Sequence, residues 1–160
     1  MDRLRFNVEK ETLTQNLPEG TFSFNDMDSD DPYLEIIVTT VTDNQYLLHI
    51  ELDGFPQTRP DVYIQAVCPY NASSWIEADL DDYQGHSLKE LSAANHTLSP
   101  HPEHNWIQIC HYNPAAWRPD ISLWIVFLKC SFWLNAYEYS IFKKIPLNEV
   151  MEHQDEADVY

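Results

Sequence analysis

The 160-residue chain has few glycines, few cysteines and few basic residues, and each shortage excludes a class of protein. Its three glycines do not form the glycine-rich loop that cradles nucleotide phosphates, so we do not expect it to bind ATP. Nine Lys and Arg against 26 Asp and Glu give a formal net charge of −17. Such a chain has no general attraction for nucleic acid or an anionic membrane surface, so we predict that neither is a partner.

The chain also lacks a long apolar run and a disulfide framework. Its most apolar stretch, 121–134, contains Lys129 and is shorter than the ~20 residues that a membrane-spanning helix needs. The three cysteines are an odd number, and the N-terminus has no apolar signal segment. We interpret the cysteines as reduced thiols and predict a cytoplasmic protein.

The length suits one domain, predicted over 1–148, followed by an acidic C-terminal tail over 149–160. The β-branched run at 34–41 and the alternating run at 46–52 flank the turn residues Asp43 and Asn44, which predicts an antiparallel hairpin. Ser87 and Glu90 have the spacing of a capping box and predict a short helix over 88–94. Weaker patterns predict a helix within 1–16 and strands at 21–24, 61–67 and 106–110.

The last strong pattern is a helix over 121–142, which Pro146 ends. Apolar residues surround most of its axis, which is typical of a helix buried on most faces. Strands followed by a long helix indicate an α+β domain whose antiparallel sheet is covered on one face by helices. We expect one helical row to pack in the core: Ile121, Ile125, Leu128, Phe132 and Ala136.

Three segments resemble the ubiquitin-conjugating enzyme family. Gly-Phe-Pro-Gln-Thr-Arg-Pro-Asp-Val at 54–62 resembles the family's proline corner and strand start. Ile-Gln-Ile-Cys at 107–110 resembles the segment that ends in its thioester-forming cysteine, and Trp-Arg-Pro follows at 117–119. The resemblance implies a ubiquitin-conjugating-enzyme-like (UBC-like) fold, with a four-stranded antiparallel sheet packed on helices, and a catalytic Cys110.

A narrower resemblance lies at 133–138, where Trp-Leu-Asn-Ala-Tyr-Glu is similar to stand-alone UBC-like proteins of bacterial anti-phage (CBASS) operons. It implies a cysteine-dependent acyltransferase that needs no cofactor of its own. Cys110 would hold the C-terminus of a partner cGAS-like nucleotidyltransferase as a thioester and pass it to an acceptor. An activating enzyme or a separate ubiquitin-like protein is a further candidate partner.

The predicted catalytic residues are Cys110, His101 and His104. The family's His-Pro-Asn corresponds to His101-Pro102-Glu103, so its asparagine is absent there, and Asn105 is a candidate substitute. His111 adjoins the cysteine but should point to the opposite face of the strand. A zinc cluster built from these histidines and Cys110 would lack a Cys-x-x-Cys pair, so we predict no metal.

Other interpretations remain at this stage. Cys110 is alternatively a small buried residue, which is our interpretation of Cys68 and Cys130. The protein is alternatively a non-catalytic adaptor of the same fold, a conjugating enzyme for a separate ubiquitin-like protein, or a small cysteine hydrolase. Three further residues are predicted either to contact a partner or to belong to the core: Trp117, Tyr137 and Glu138.

Overall fold

The computed structural model describes residues 1–151, which form a seven-stranded sheet packed against helices. Chain order begins with a helix, continues through four strands and three shorter ones, and ends with the long helix and a final turn of helix. The elements are α1 (Arg3–Asn16), β1 (Phe22–Asn25), β2 (Tyr33–Thr39), β3 (Gln45–Glu51), β4 (Asp61–Cys68), β5 (Ile76–Glu77), β6 (Thr97–Leu98), β7 (Ile107–Ile109), a 3-10 helix (Pro114–Ala116), α2 (Leu123–Lys143) and α3 (Leu147–Val150).

The strands form one antiparallel sheet in the order β1-β2-β3-β4-β7-β6, with β5 also paired to β4. The predicted hairpin is confirmed as β2 and β3, whose register pairs Tyr33 with Glu51 and Thr39 with Gln45. The α+β class is also confirmed. The prediction of four strands is wrong, because β1 extends one edge and the loop 69–104 contributes β5 and β6. Strands of two residues are too short to show an alternating pattern in the sequence.

Alternation along the hairpin separates the two faces of the sheet. In β3, Tyr46, Leu48 and Ile50 are buried, and they share one core with buried residues of α1 and α2. Their neighbours His49 and Glu51 point to the opposite face, because successive side chains of a strand alternate. The sheet therefore has one helix-covered face and one that carries polar and aromatic side chains.

The long predicted helix is confirmed as α2, but the row expected to pack in the core is buried only at Ile121 and Ala136. Ile125, Leu128 and Phe132 are exposed, and the helix is buried on one side only. Both sides of α2 are apolar, so composition alone does not distinguish them, and contact with the sheet selects the buried side. That buried side carries Leu123, Val126, Phe127, Cys130, Trp133, Leu134, Ala136, Tyr137 and Ser140.

The predicted helix over 88–94 is also wrong, because this segment is a series of turns. Ser87 Oγ accepts a hydrogen bond from the N–H of Lys89, at 3.2 Å, and not from Glu90 as a capping box requires. The N–H of Leu88 donates to the carbonyl of Leu80, so contacts with distant residues replace helical hydrogen bonds. A few residues of weak helical pattern do not outweigh such tertiary bonds.

The N-terminal helix is confirmed as α1, and the remaining strand predictions correspond to β1, β4 and β7. The predicted tail begins inside α3, and its residues 152–160 lie outside the described part. Within 1–151, no helix combines the length and the apolar character needed to cross a membrane.

The two sides of α2 should respond differently to truncation. Leu134 is fully buried, so Leu134→Ala should lower the free energy of unfolding by about 2–5 kcal/mol. Phe132 is 58% exposed, so Phe132→Ala should change it by about 0.5 kcal/mol or less. Denaturant unfolding of both variants measures the difference. Equal losses would contradict the assigned buried side.

Candidate active site

Cys110 lies immediately after β7 and is half-buried, with a free thiol. Its backbone N–H donates to the carbonyl of His96 at 2.9 Å, which continues the pairing of β6 with β7 for one residue. Successive side chains of a strand point to opposite faces, and Ile109 is buried in the core. We therefore expect the Cys110 side chain to point to the polar face of the sheet. Within residues 1–151, the Cys110 thiol makes no disulfide and no hydrogen bond. The backbone at Cys110 is therefore fixed, and its half-buried thiol is not engaged by another group of the described chain.

The chain that follows Cys110 is held by two side chains from distant segments. Arg59 donates from Nη1 to the carbonyl of Tyr112 at 2.7 Å. Trp117 donates from Nε1 to the carbonyl of Pro56 at 2.8 Å. Between these points, Asn113 Oδ1 accepts from the N–H of Ala115 and caps the 3-10 helix. The loop beyond the thiol is thus anchored to the proline corner that precedes β4.

Gly54 enables the corner that receives Trp117. Its φ of +70° is a left-handed conformation, and a Cβ there would collide with the hydroxyl of Thr58. Phe55 follows and is buried, and its ring lies 6.1 Å from that of Trp117. The glycine therefore allows the tight turn that brings the Pro56 carbonyl to the indole.

A polar network joins β4 to β7 beside the cysteine. Gln108 donates from Nε2 to Asp61 Oδ1 at 2.8 Å, and Arg59 Nη2 lies 3.4 Å from the same oxygen. Asp61 thereby links the strand that leads to Cys110 with the arginine that holds the following loop. The contact between Asp61 and Gln108 could not be predicted from the sequence, because 47 positions separate the two residues.

His101 is oriented by its own loop and by Glu51. Its Nδ1 accepts from the backbone N–H groups of Glu103 and His104, at 3.1 and 3.2 Å. The ring proton is then on Nε2, which donates to a Glu51 carboxylate oxygen at 3.2 Å. In this tautomer Nε2 has no lone pair for general-base chemistry while the Glu51 bond is intact.

His104 packs on Trp106 instead of approaching the thiol. The two rings are stacked with centroids 4.3 Å apart, and His101 lies 4.7 Å from His104. Trp106 precedes β7 and Cys110 follows it, so this stack and the cysteine flank opposite ends of the strand. In the described chain, no hydrogen bond or ring contact joins either histidine to Cys110. Their assistance to the thiol therefore stays a prediction.

His49 belongs to the same aromatic group and was not among the predicted residues. Its ring stacks on Tyr33 at 4.5 Å and lies 5.2 Å from Trp106. Burial, together with the nearby His101, lowers the pKa of His49 to about 4. Its place on the polar face could have been inferred from the alternation of β3. An open pocket of about 270 Å³ lies here, lined by these rings and by Asp31, Glu35, Glu51 and Glu103.

His111 is buried, and its Nδ1 lies 3.4 Å from the carbonyl oxygen of Ile109. Burial and the nearby Arg59 lower the pKa of His111 to about 3, so its imidazole is neutral at physiological pH. Lys129 reaches the same loop from α2, with Nζ 4.4 Å from the centroid of the Tyr112 ring. Burial lowers the pKa of Lys129.

The three predicted partner contacts all make bonds inside the domain. The Trp117 indole is bonded to Pro56, and the Tyr137 hydroxyl donates to the carbonyl of Asp81 at 2.9 Å. The Glu138 carboxylate accepts four hydrogen bonds from β3 and from the turn between β2 and β3. These come from Thr40, Thr42, Asn44 and Tyr46. Contact with a partner through these residues stays a prediction that no observed bond supports.

Comparison with known proteins adds no relative: no family model, no curated protein and no solved structure matches this chain. Within residues 1–151, no group of histidine, cysteine and carboxylate side chains is arranged to hold a metal ion. The candidate site is therefore defined by Cys110 and the segments that position it.

The three thiols should differ in their reaction with an alkylating reagent. Cys130 is fully buried and burial raises its pKa, whereas Cys110 and Cys68 are half-buried. Because the thiolate is the reactive form, Cys110 and Cys68 should be modified in the native protein and Cys130 only after unfolding. Peptide mass spectrometry measures this order. Modification of Cys130 at the rate of Cys110 in native protein would contradict the structure.

Acid should destabilise the protein through its buried neutral histidines. A histidine in the unfolded chain has a pKa near 6.5, above the value of about 4 for folded His49. Below pH 6.5 the unfolded chain binds protons that folded His49 does not, so the free energy of unfolding falls toward pH 4. His49→Gln should make this fall shallower in denaturant unfolding measured over a pH series. An unchanged pH dependence would show that His49 is not held neutral.

Proposed function

We propose that this protein is a UBC-like transferase of a bacterial anti-phage (CBASS) system, with Cys110 as the acyl-carrying nucleophile. The observation that carries the proposal is the half-buried free thiol of Cys110, whose backbone is fixed on both sides. The order of elements supports it. An N-terminal helix, an antiparallel sheet, the cysteine segment, Trp117 and a long helix follow one another as the resemblance implies.

The chemistry requires a thiolate and an activated acyl donor. The Cys110 thiolate would attack the carbonyl carbon of the partner's C-terminus, presented as a thioester by an activating enzyme, whose thiol then leaves. The acyl group is now a thioester on Cys110. An acceptor amine attacks it, loses a proton, and releases the Cys110 thiolate with the acyl group bound as an amide. The donor we propose is the C-terminus of a cGAS-like nucleotidyltransferase.

Each tetrahedral intermediate carries an oxyanion that needs hydrogen-bond donors. Glu103 occupies the position of the family's asparagine and supplies only its backbone N–H, which is bonded to His101. Asn105, the candidate substitute, has a left-handed backbone with φ of 55° and donates its N–H to the carbonyl of His101 at 2.8 Å. Its side-chain amide stays a candidate donor on sequence grounds, although Asn105 precedes β7 and Cys110 follows that strand.

A second function is favoured by a specific observation. Neither His101 nor His104 contacts Cys110, and Glu103 replaces the asparagine. These features suit a non-catalytic adaptor that binds the same synthetase without forming a covalent bond. The two proposals differ in whether a covalent adduct forms on Cys110.

The covalent intermediate should be trapped on Cys110 and on no other cysteine. Wild-type protein incubated with the synthetase, ATP and an activating enzyme should yield an adduct that a small thiol releases, because thiols exchange readily with thioesters. Cys110→Lys should yield an adduct that resists thiol, since an amide forms in the same place. Intact-mass spectrometry after denaturation measures both.

The matched controls are Cys110→Ala and Cys68→Ala, which each remove one half-buried thiol. Cys110→Ala should abolish the adduct and Cys68→Ala should retain it. An adduct that survives Cys110→Ala would refute the assignment. A complex that always dissociates in denaturant, with Cys110 free, would favour the adaptor.

A further inference from the structure

The outer side of α2 carries a row of exposed apolar residues that the proposed function does not use. Phe132 is 58% exposed and Phe142 is 77% exposed, whereas a soluble surface helix normally presents polar residues outward. A contiguous exposed apolar patch on a soluble protein commonly marks an interaction site. We call this row the seam, and it consists of Ile125, Leu128, Phe132, Tyr139 and Phe142.

The spacing of the seam is that of a helix-pairing surface. Its members follow one another at alternate steps of three and four residues, with Asn135 in the single gap. This heptad repeat keeps one side of a helix facing a second helix. Asn135 Oδ1 accepts from the N–H of Val41 at 2.9 Å, which places the 86% exposed Val41 beside the gap. The apolar surface thus continues for about 26 Å along the helix.

We propose that a second copy of this chain covers the seam, with the two α2 helices antiparallel about a twofold axis. The seam is self-complementary in that arrangement. Ile125 of one copy would meet Phe142 of the other, Leu128 would meet Tyr139, and Phe132 would lie near the axis. Small aliphatic side chains would therefore face large aromatic ones toward both ends of the pair, and Phe132 would face Asn135 of the other copy beside the axis. Each contact is repeated by the twofold axis, as in any isologous interface.

The helix dipoles and the lysines of α2 favour the same orientation. Lys143 and Lys144 end the helix, whereas Asp120, before its N-terminus, is paired with Arg118 at 3.2 Å. Antiparallel pairing brings the opposite ends of the two helix dipoles toward each other and keeps the lysines of the two copies apart, whereas parallel pairing would bring like ends together. Glu138, the carboxylate of α2, is bonded to the β2–β3 turn and does not face the seam.

The net charge of −17 makes two copies repel each other. This repulsion acts only between charges that lie close together across the interface. Charges more than ~8 Å apart are largely screened at physiological ionic strength. One helix seam is smaller than the interface of an obligate dimer, so we infer a reversible dimer. Its population should rise with protein concentration.

Sedimentation equilibrium over a wide concentration range tests the proposal. The wild type should show a monomer–dimer equilibrium. Phe132→Glu should raise the dissociation constant by roughly tenfold or more, because it places a carboxylate at the centre of the seam. The matched control is Leu91→Glu, which adds the same charge at another exposed apolar residue, 69% exposed, outside α2. It should leave the dissociation constant within about twofold of the wild type.

Three results would overturn the proposal. The first is a wild type that stays monomeric at every concentration. The second is a dimer that Phe132→Glu does not weaken, because its interface would then lie elsewhere. The third is dimer formation only in a chain that ends at Met151, which would show that residues 152–160 cover the seam in the full chain.

Disulfide trapping tests the orientation. In a background with Cys68→Ala and Cys110→Ala, a mixture of Ile125→Cys and Phe142→Cys copies should cross-link under oxidant, and neither variant should link to itself. Disulfides form only when the two Cα atoms come within ~7 Å, so the link reports the register. Self-linking of Ile125→Cys without mixed linking would establish a parallel pair and overturn the antiparallel arrangement.

Discussion

The buried carboxylate of Glu9 is the contact on which the arrangement of the helices depends. One of its oxygens accepts from the N–H of Leu123, the first residue of α2, at 2.8 Å, and the other lies 2.7 Å from Arg5 Nη2. The same guanidinium donates to the carbonyl of Ile121 and lies over the ring of Phe55. Burial raises the pKa of Glu9, and the Leu123 and Arg5 bonds oppose that rise. Removal of either partner would leave a buried charge uncompensated.

This ion pair connects three parts of the chain that surround the candidate site. It joins α1 to the start of α2 and, through Phe55, to the proline corner that holds Trp117. Arg59, just past the corner, holds the loop after Cys110 at Tyr112. The position of the thiol therefore depends on contacts among residues that are distant in sequence. The proposed nucleophile is thus held by rigid elements, as the proposed acyl transfer to an oriented acceptor requires.

The long helix is anchored near both of its ends. Its start is bonded to Glu9 of α1, and near its end Glu138 accepts four hydrogen bonds from β3 and from the turn between β2 and β3. Both anchors lie away from the seam, so the outward side of α2 stays uncovered within the described chain. One helix thus supports the core on one side and presents an apolar heptad row on the other. Because both sides of α2 are apolar, the helix is more apolar than one that is buried on a single side.

Local patterns in the sequence were enough to predict the hairpin, the long helix and the α+β class, since each depends on periodicity within a few turns or strands. The resemblance to the ubiquitin-conjugating enzyme family singled out Cys110, and its catalytic role stays a prediction. The placement of His101 and His104 was not predictable, because stacking on Trp106 and the bond to Glu51 are contacts made only by the folded chain. Neither was the Asp61 network, which joins two strands far apart in sequence.

By itself, then, the sequence determined the longer strands, the N-terminal helix and the long helix, and that α2 is apolar on most faces. Only the tertiary structure decided which side of α2 is buried, because Phe132 and Trp133 are equally apolar neighbours and only packing on the sheet distinguishes them. Likewise, the turns at 87–92 form where tertiary hydrogen bonds outweigh a short helical pattern. The physical reason is common to both: local propensity is worth fractions of a kcal/mol per residue, and burial of a large side chain is worth about 1.5–3 kcal/mol.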